Sequence, residues 1–418
     1  MSITAPNNIL IKQLKYVNDN SKFYQNLFKE NNIDIADIKT LDDLSLLPTT
    51  TKFDLQRSNS DFFCVSSDKI SDIVTTSGTL GIPVTVPLTK NDLERLAINE
   101  ANSFRTAGVT SSDIVQLMVT MEMRFMAGLA YFLGIQKLGA TSLRIGPGSP
   151  VVQLENIEKF KPTVLIGVPS FVAKIVEYAE NNGIDINSTS VKKIICIGDS
   201  IRDEDLELNS IGKRIIDVWN VDLHSTYAST EMATAFTECN AGKGGHLQDD
   251  LLIVEILDSY GNNLKIGSVG EVTITTIGIE GMPLVRFRTG DMAYLIDDKC
   301  SCGNNSMRLS SIIGRKEQMI KYKGTSLYPP AIIDVLNDFP KIANFYIEVY
   351  SDSLGSDVVK VTIGKDDNNQ DSIEKLKECF RMKIRVVPQI FVDLNINIIS
   401  KLNKNKSRKK QVFFDLRK

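Results

Sequence analysis

DIVTTSGTLGIPVTVP, residues Asp72 to Pro87, sets four hydroxyls (Thr75, Thr76, Ser77 and Thr79) beside Gly78 and Gly81. Glycine lets the backbone come close, so hydroxyls and amides together can converge on one anion, and the stretch reads as a phosphate cradle. Its flanks are extended: Ile70, Ile73 and Val74 precede it, and Val84, Val86 and Leu88 alternate with Thr85 and Pro87 after it. The loop therefore joins strand to strand without a helix N-terminus behind it, and the Gly-Lys-Ser/Thr of a Walker loop is missing. Taken alone, an ordinary Gly/Ser/Thr hairpin turn accounts for it as well.

Three later stretches change that balance: Tyr227-Ala-Ser-Thr-Glu231, Phe287-Arg-Thr-Gly-Asp291, and Gly314-Arg315 through Gly324. In this order the four stretches resemble motifs of the adenylate-forming superfamily. They match its Thr-Ser-Gly-Thr-Thr-Gly-x-Pro loop, its Tyr-Gly-x-Thr-Glu and Tyr-Arg-Thr-Gly-Asp motifs, and its interdomain hinge. The resemblance implies an α/β fold: a large N-terminal adenylate-forming domain of layered α/β sheets plus a small β unit, residues 1–316, and a small C-terminal α+β lid, residues 317–418.

The rest of the chain is consistent with that division. With 418 residues there is room for two to four domains of ~100–200 residues. A hydrophobic fraction of 42% and a charged fraction of 24% suit a soluble globular protein. The net charge of −3 gives no electrostatic reason to expect nucleic acid. The start, MSITAPNNILIKQLKYV, lacks a basic segment followed by an apolar core, and no apolar run reaches the ~18 residues of a membrane span, which points to a cytoplasmic protein with no membrane partner.

Residues up to about 60 carry helical periodicity (Ile9, Leu10, Leu14, Tyr16, then Phe23, Tyr24, Leu27, Phe28) and read as a helical cover. Thr89-Lys-Asn-Asp92 is a capping box for a helix to about Ala107. Strands at 114–119, 164–168 and 194–197 alternate with helices, one running from Pro169 to Gly183, as in a largely parallel sheet. Short strands at 251–257, 271–276 and 292–296 suggest a smaller antiparallel unit. Beyond the hinge come a helix after Pro330, strands near 344–350 and 358–363, a helix at 371–382, and a basic run from Lys401 to Lys410.

Activating a carboxylate with ATP expels pyrophosphate while the acid oxygen attacks the α-phosphorus, so charge must be neutralised on both sides of that atom. The resemblance implies that Thr76, Ser77, Gly78, Thr79 and Gly81 hold the β- and γ-phosphates, that Glu231 holds Mg²⁺, and that Thr230 donates to the α-phosphate. Standing alone, Glu231 would read as a helix-capping carboxylate. Tyr227 and Ser229 complete its motif. Asp291 matches the family's ribose-binding carboxylate, Arg315 an arginine near the ribose, and Gly198-Asp199 the Gly-Ala-Glu/Asp segment against the adenine. Near the C-terminus the family carries a mobile catalytic lysine; Asn405-Lys-Ser-Arg-Lys409 before Phe413-Phe-Asp-Leu-Arg417 points to Lys406, with Lys404 and Lys409 as alternative registers. Glu317 falls at the hinge pivot, and Gln318 replaces the family's second acid.

Cys239, His246, Cys300 and Cys302 form a Cys₃His set, which suits a closed structural zinc site; two thiols in a turn is the plain alternative. The Cys-x-Cys-Gly turn and Gly-x-His segment also resemble the phenylacetate-CoA ligase branch, where such a zinc occurs in some members. Met126-Ala-Gly-Leu-Ala-Tyr131, Lys137-Leu-Gly-Ala-Thr141 and Pro329-Pro-Ala-Ile-Ile333 are similar to segments of the same branch. The resemblance implies an AMP-forming carboxylate-CoA ligase using ATP, Mg²⁺ and CoA on an aryl or arylalkyl acid, its pocket drawn from Phe125, Met126, Ala127, Gly128 and Tyr131. Phe125, Met126 and Tyr131 could equally be core packing, and Arg124 could meet a second carboxylate or a polar ring substituent. Leu80 replaces a loop threonine and Val84 stands where many members have lysine. A carrier-protein arm in place of CoA, a nucleotide-binding module without catalysis, and the assembly state, a homodimer among them, stay open.

Overall fold

Thr89 ends one strand and starts a helix. Its hydroxyl accepts from the Asp92 amide at 3.1 Å while Asp92 Oδ2 accepts from the Thr89 amide at 2.9 Å, the capping box expected from the sequence. The strand it ends, Thr85–Thr89, pairs antiparallel with Ile70–Thr75. The helix it starts, Lys90–Thr106, packs against the strand Thr234–Glu238 and the helix Met126–Leu138 and buries Leu96, Ala97, Ala101 and Phe104. The computed structural model describes residues 7–76, 83–323, 325–340, 342, 344–352, 356–365, 370–403 and 411–417. Ser77, Gly78, Thr79, Leu80 and Gly81 of the phosphate loop, and Lys404, Lys406 and Lys409, therefore lie outside the described residues.

The chain divides into two compact units: Met1–Glu207 with Gly212–Ile312, and Leu208–Ile211 with Ile313–Lys418. In the first, Thr141–Arg144, Ile114–Leu117, Val164–Gly167, Lys193–Ile197 and Asp222–Ser229 lie side by side in parallel. Runs such as Val164–Gly167 are buried throughout, because helices cover a parallel sheet on both faces. Thr234–Glu238 then turns back antiparallel on Asp222–Ser229, and Gly245–His246, Arg308–Leu309 and Leu295–Ile296 extend the sheet. A second sheet joins Leu252–Leu257, Gly270–Thr276 and Phe287–Ala293 antiparallel. Layered α/β sheets with a small β unit are the architecture expected.

The first 60 residues differ from the expected helical cover. Asn7–Asn20 and Lys22–Glu30 are helices, but Ile35–Asp37 and Asp42–Leu46 are single 3₁₀ turns, and Thr50–Thr51 is a strand lying parallel to Phe287–Ala293. Local periodicity could not reveal a pairing with residues so far along the chain. Phe23 stacks on Phe62 at 3.8 Å between ring centroids, and Tyr24 Oη accepts from the Val285 amide at 2.8 Å, which clamps this segment on the second sheet.

In the second unit Phe345–Ser351 and Asp357–Lys365 pair antiparallel, flanked by Gln389–Leu394 and Phe413–Asp415 in parallel. Helices Pro329–Asp338 and Gln370–Ile384 pack Leu336, Leu376 and Phe380 against it. The expected α+β composition is present, with the strand Gln389–Leu394 and the helix Asn395–Leu402 in addition. Among the described residues no helix is long and apolar enough to cross a membrane.

One buried acid in the first unit gives a pH prediction. The helix Met126–Leu138 packs so closely on Lys90–Thr106 that a Cβ on Gly134 would come within 2.3 Å of Glu100 Cβ. Glu100 is thereby sealed in: Oε1 accepts from Asn99 Nδ2 at 3.0 Å and Oε2 has no partner among the described residues. Burial pushes its carboxyl up to about 8, so it carries a proton at neutral pH. The folded state holds that proton more tightly than the unfolded state does, so stability is highest at low pH and falls as pH rises from the unfolded carboxyl range through about 8. Glu100→Gln is expected to remove this decline, raising the melting temperature by on the order of several degrees above pH 8 and leaving it unchanged near pH 5. Melts of both proteins at the two pH values check it; equal gains at both would point to packing instead.

Candidate active site

In a parallel sheet, ligands gather where the strands' carboxyl ends leave loops. Here that edge carries Met118–Phe125 after one strand, Gly198-Asp199 after the next but one, and Ser229-Thr230-Glu231 after the last. Gly198 takes φ +75°, a left-handed turn that releases the chain from the sheet and leaves Asp199 half buried.

Thr230 and Glu231 sit on the turn between the antiparallel strands Asp222–Ser229 and Thr234–Glu238, so Glu231 caps no helix. The turn is tied internally. The Ala233 amide donates to the Ser229 carbonyl at 3.1 Å, the Met232 amide to Ser229 Oγ at 3.3 Å, and Thr234 Oγ1 to the Met232 carbonyl at 3.0 Å. Ala233 takes φ +45°, a conformation a non-glycine residue keeps only where its surroundings impose it.

Asp291 lies inside the strand Phe287–Ala293. The ladder pairs Arg288 with Thr273 and Met292 with Glu271, so Thr289, Gly290 and Asp291 together face Val272. Such a bulge re-aims its side chains. Thr289 Oγ1 fastens it to the Val272 carbonyl at 2.8 Å, and Gly290 supplies the left-handed step at φ +79°. Asp291 Oδ2 then accepts from Tyr227 Oη at 2.7 Å. Burial, and the charges of Asp291 and Glu231, hold the Tyr227 phenol well above its usual range, so it stays a donor. Phe236 stacks beside it with ring centroids 5.8 Å apart.

The structure adds a residue that the sequence reading passed over. Lys52 Nζ lies 3.5 Å from Glu231 Oε1, with side-chain exposures of 29% and 11%. Two local devices place it. The pairing of Thr50 and Thr51 with Phe287 and Arg288 sets the end of the short strand beside the Asp291 bulge, and a Thr51/Asp54 capping box starts the helix Lys52–Arg57. The Thr-x-x-Asp spacing of that box was the signal in the sequence; the partner strand was not.

Thr76 is buried, and its hydroxyl accepts from the Val84 amide at 3.0 Å, closing the base of the phosphate-loop hairpin. The Thr75 amide donates to the carbonyl of Arg124 at 3.1 Å, which anchors the loop after Ile114–Leu117 against the same hairpin. Met123 and Arg124 both take positive φ there, 58° and 56°, and both are exposed. Among the residues named for the acid pocket, Phe125 and Ala127 are half buried, while Met126 and Tyr131 pack in two apolar cores. Gly128 is held by contact: a Cβ would lie 2.0 Å from the Thr120 carbonyl oxygen. In the second unit, Arg315 and Glu317 are exposed near its start, where the Glu317 carbonyl accepts from Arg417 Nη2 at 3.2 Å.

Cys239, His246, Cys300 and Cys302 come together with their donor atoms all within 4.8 Å of one another. The Cys239 and Cys300 sulfurs are 3.5 Å apart, and Cys302 Sγ is 3.4 Å from His246 Nε2. His246 Nδ1 meets Ser306 Oγ at 3.1 Å, the outer contact that orients a metal-binding imidazole. The amides of Ala241 and Asn304 point at Cys239 and Cys302 sulfur at 3.4 Å each. Three thiolates and one imidazole at this spacing fit tetrahedral zinc. Glu231, a lone carboxylate, fits Mg²⁺, an ion that takes few protein ligands and fills its shell with water and phosphate oxygens.

A family model described as AMP-binding enzyme matches residues 9–280. The chain is 30% identical over 361 residues to phenylacetate-coenzyme A ligase of Aromatoleum evansii, covering 85% of this chain and 80% of that protein. It is 28% identical over 343 residues to the enzyme of the same name from Thermus thermophilus, covering 81% and 75%. Among solved structures, a 2-hydroxyisobutyryl-CoA ligase in the postadenylation state superposes with a TM-score of 0.84 at 19% identity, covering 98% of this chain and 88% of the other, a likeness of fold. The chain therefore belongs to the AMP-binding enzymes of the adenylate-forming superfamily, close to the phenylacetate-CoA ligase-like branch, and is an ATP-dependent enzyme that forms acyl-adenylates.

Proposed function

We propose that the protein is a carboxylate-CoA ligase acting on an aryl or arylalkyl acid. The observation that carries this reading is the similarity along 85% of the chain to a phenylacetate-coenzyme A ligase. The grouping of Glu231, Tyr227 and Asp291 beside the carboxyl edge of the parallel sheet supports it. An oxygen of the acid attacks the α-phosphorus of ATP, the bond to the β-phosphate oxygen breaks, and pyrophosphate leaves. A thiol then attacks the acyl carbon and AMP departs.

The chain's own groups divide the work. Ser77, Gly78, Thr79 and Gly81, together with Thr76, hold the outer phosphates. Glu231 would hold Mg²⁺, which supplies positive charge to the leaving pyrophosphate. Lys52 neutralises Glu231 and presents a second cation on the same side. Thr230 donates to the α-phosphate, and Ser229 orders the turn. Asp291, fixed by Tyr227, accepts the ribose hydroxyls, with Arg315 as a ribose contact, while Gly198 and Asp199 border the adenine. Lys406 is the cation for the α-phosphate and the acid, and Glu317 is the pivot of the hinge. Phe125 and Ala127 line the acid pocket, shaped from behind by Met126, Gly128 and Tyr131.

AMP release is measured against a panel of aromatic and aliphatic acids, with and without CoA. Release that needs both one aromatic acid and CoA supports the reading. Release that CoA leaves unchanged overturns it in favour of another acceptor, such as the phosphopantetheine arm of a carrier protein.

Cys239, His246, Cys300 and Cys302 are proposed to hold a structural zinc. Metal analysis is expected to find one zinc per chain, and its removal by a chelator to lower the melting temperature by on the order of 10 °C, since the free energy of binding a structural metal adds to that of folding. Zinc-free protein with an unchanged melt would remove the assignment.

A further inference from the structure

Arg95 lies on the helix Lys90–Thr106, only 6% exposed, and no carboxylate forms an ion pair with it among the described residues. A buried guanidinium is costly unless every N–H finds an acceptor. Here Nε donates to the Ile277 carbonyl at 2.6 Å, Nη1 to the Ala233 carbonyl at 2.8 Å, and Nη2 to the Leu251 carbonyl at 2.6 Å and Thr234 Oγ1 at 3.1 Å. Burial pulls the group down to about 10, so it stays charged at neutral pH.

These acceptors belong to two different places. Leu251 and Ile277 flank the strands Leu252–Leu257 and Gly270–Thr276, and the Ile277 amide donates to the Leu251 carbonyl at 3.0 Å. Ala233 and Thr234 close the turn that carries Glu231, with Ala233 in its left-handed conformation. The helix bearing Arg95 begins at Thr89, where the phosphate-loop hairpin ends. One rigid, planar donor thus links the hairpin's helix, the edge of the second sheet and the Glu231 turn.

We propose that Arg95 is a positioning residue for Glu231: by holding Ala233 and Thr234 it sets the Glu231 carboxylate for Mg²⁺ relative to the phosphate-loop hairpin. The proposal rests on the reading of Glu231 as the Mg²⁺ ligand. A purely structural role would cost stability alone, so the measurement must report on the metal as well as on folding.

In the whole protein, affinity for a non-hydrolysable ATP analogue is measured by calorimetry with and without Mg²⁺, beside the melting temperature and acid-dependent pyrophosphate exchange. Arg95→Met is expected to reduce the tightening produced by Mg²⁺ by ~10-fold or more, the usual loss when an outer support of a metal ligand is removed, and to leave the Mg²⁺-free affinity within about twofold. Arg95→Lys recovers part of it, because an ammonium can serve some but not all of the acceptors. Should Arg95→Met not fold, Thr234→Val removes two bonds of the same turn and is expected to shift the Mg²⁺ effect about threefold in the same direction. Wild-type Mg²⁺ tightening in the folded variants, whatever their melting temperatures, overturns the proposal, as does a wild-type protein whose nucleotide affinity ignores Mg²⁺. A wild type that shows the Mg²⁺ effect but exchanges no pyrophosphate with any acid would contradict the adenylation chemistry alone, and the variants still decide Arg95.

Discussion

Glu231→Gln is expected to lower the rate of acyl-adenylate formation by on the order of 10²–10³-fold, the usual loss on removing a group that places charge at the transition state. Glutamine keeps the volume and fits the same turn, so the melting temperature should change little. The loss arises because an amide binds Mg²⁺ poorly and because Lys52, 3.5 Å away, is left without its anion. The pair makes a sharper test than either residue alone. Residues in contact are not additive, so Lys52→Met combined with Glu231→Gln should lose clearly less than the product of the single losses. Single-turnover adenylation rates for the four proteins give the cycle; strict additivity would mean that Lys52 and Glu231 act on separate charges.

Lys406→Ala should match that effect, again on the order of 10²–10³-fold in adenylation. Lys404 and Lys409 are close neighbours in the same basic run. Alanine at each of the three in turn locates the lysine: one large loss and two small ones identifies it. Thioester formation from added acyl-adenylate should survive the same substitution, since the lysine's charge is needed where pyrophosphate leaves. Normal adenylation in all three variants would remove a C-terminal lysine from the chemistry.

What could be read in the sequence was what is local. The Thr89/Asp92 capping box, the parallel strands at 164–167 and 193–197, and the motif around Glu231 each announce themselves within a few residues, because caps, turns and buried strands are made by near neighbours. What escaped depends on distant pairing. Lys52 reaches Glu231 only because Thr50–Thr51 joins a strand more than two hundred positions later. The bulge that aims Asp291 exists only against Val272 on its partner strand, so no local pattern in Thr289–Asp291 announces it. Arg95 lies on a helix whose start was legible, but nothing nearby in sequence tells that carbonyls from Ala233, Leu251 and Ile277 meet its guanidinium. The Cys₃His set was the exception: Cys239, His246 and the Cys300-Ser-Cys302 turn are distant in the chain and meet in space, yet residue type together with the branch resemblance singled them out.

The most direct test of the whole account is exchange of labelled pyrophosphate into ATP in the absence of CoA, across a panel of carboxylic acids. The reaction reports only the adenylation step, without depending on the thiol acceptor. Exchange that requires Mg²⁺ and one acid, and that falls with Glu231→Gln, is the predicted result. ATP binding without exchange for any acid in a broad panel would contradict it.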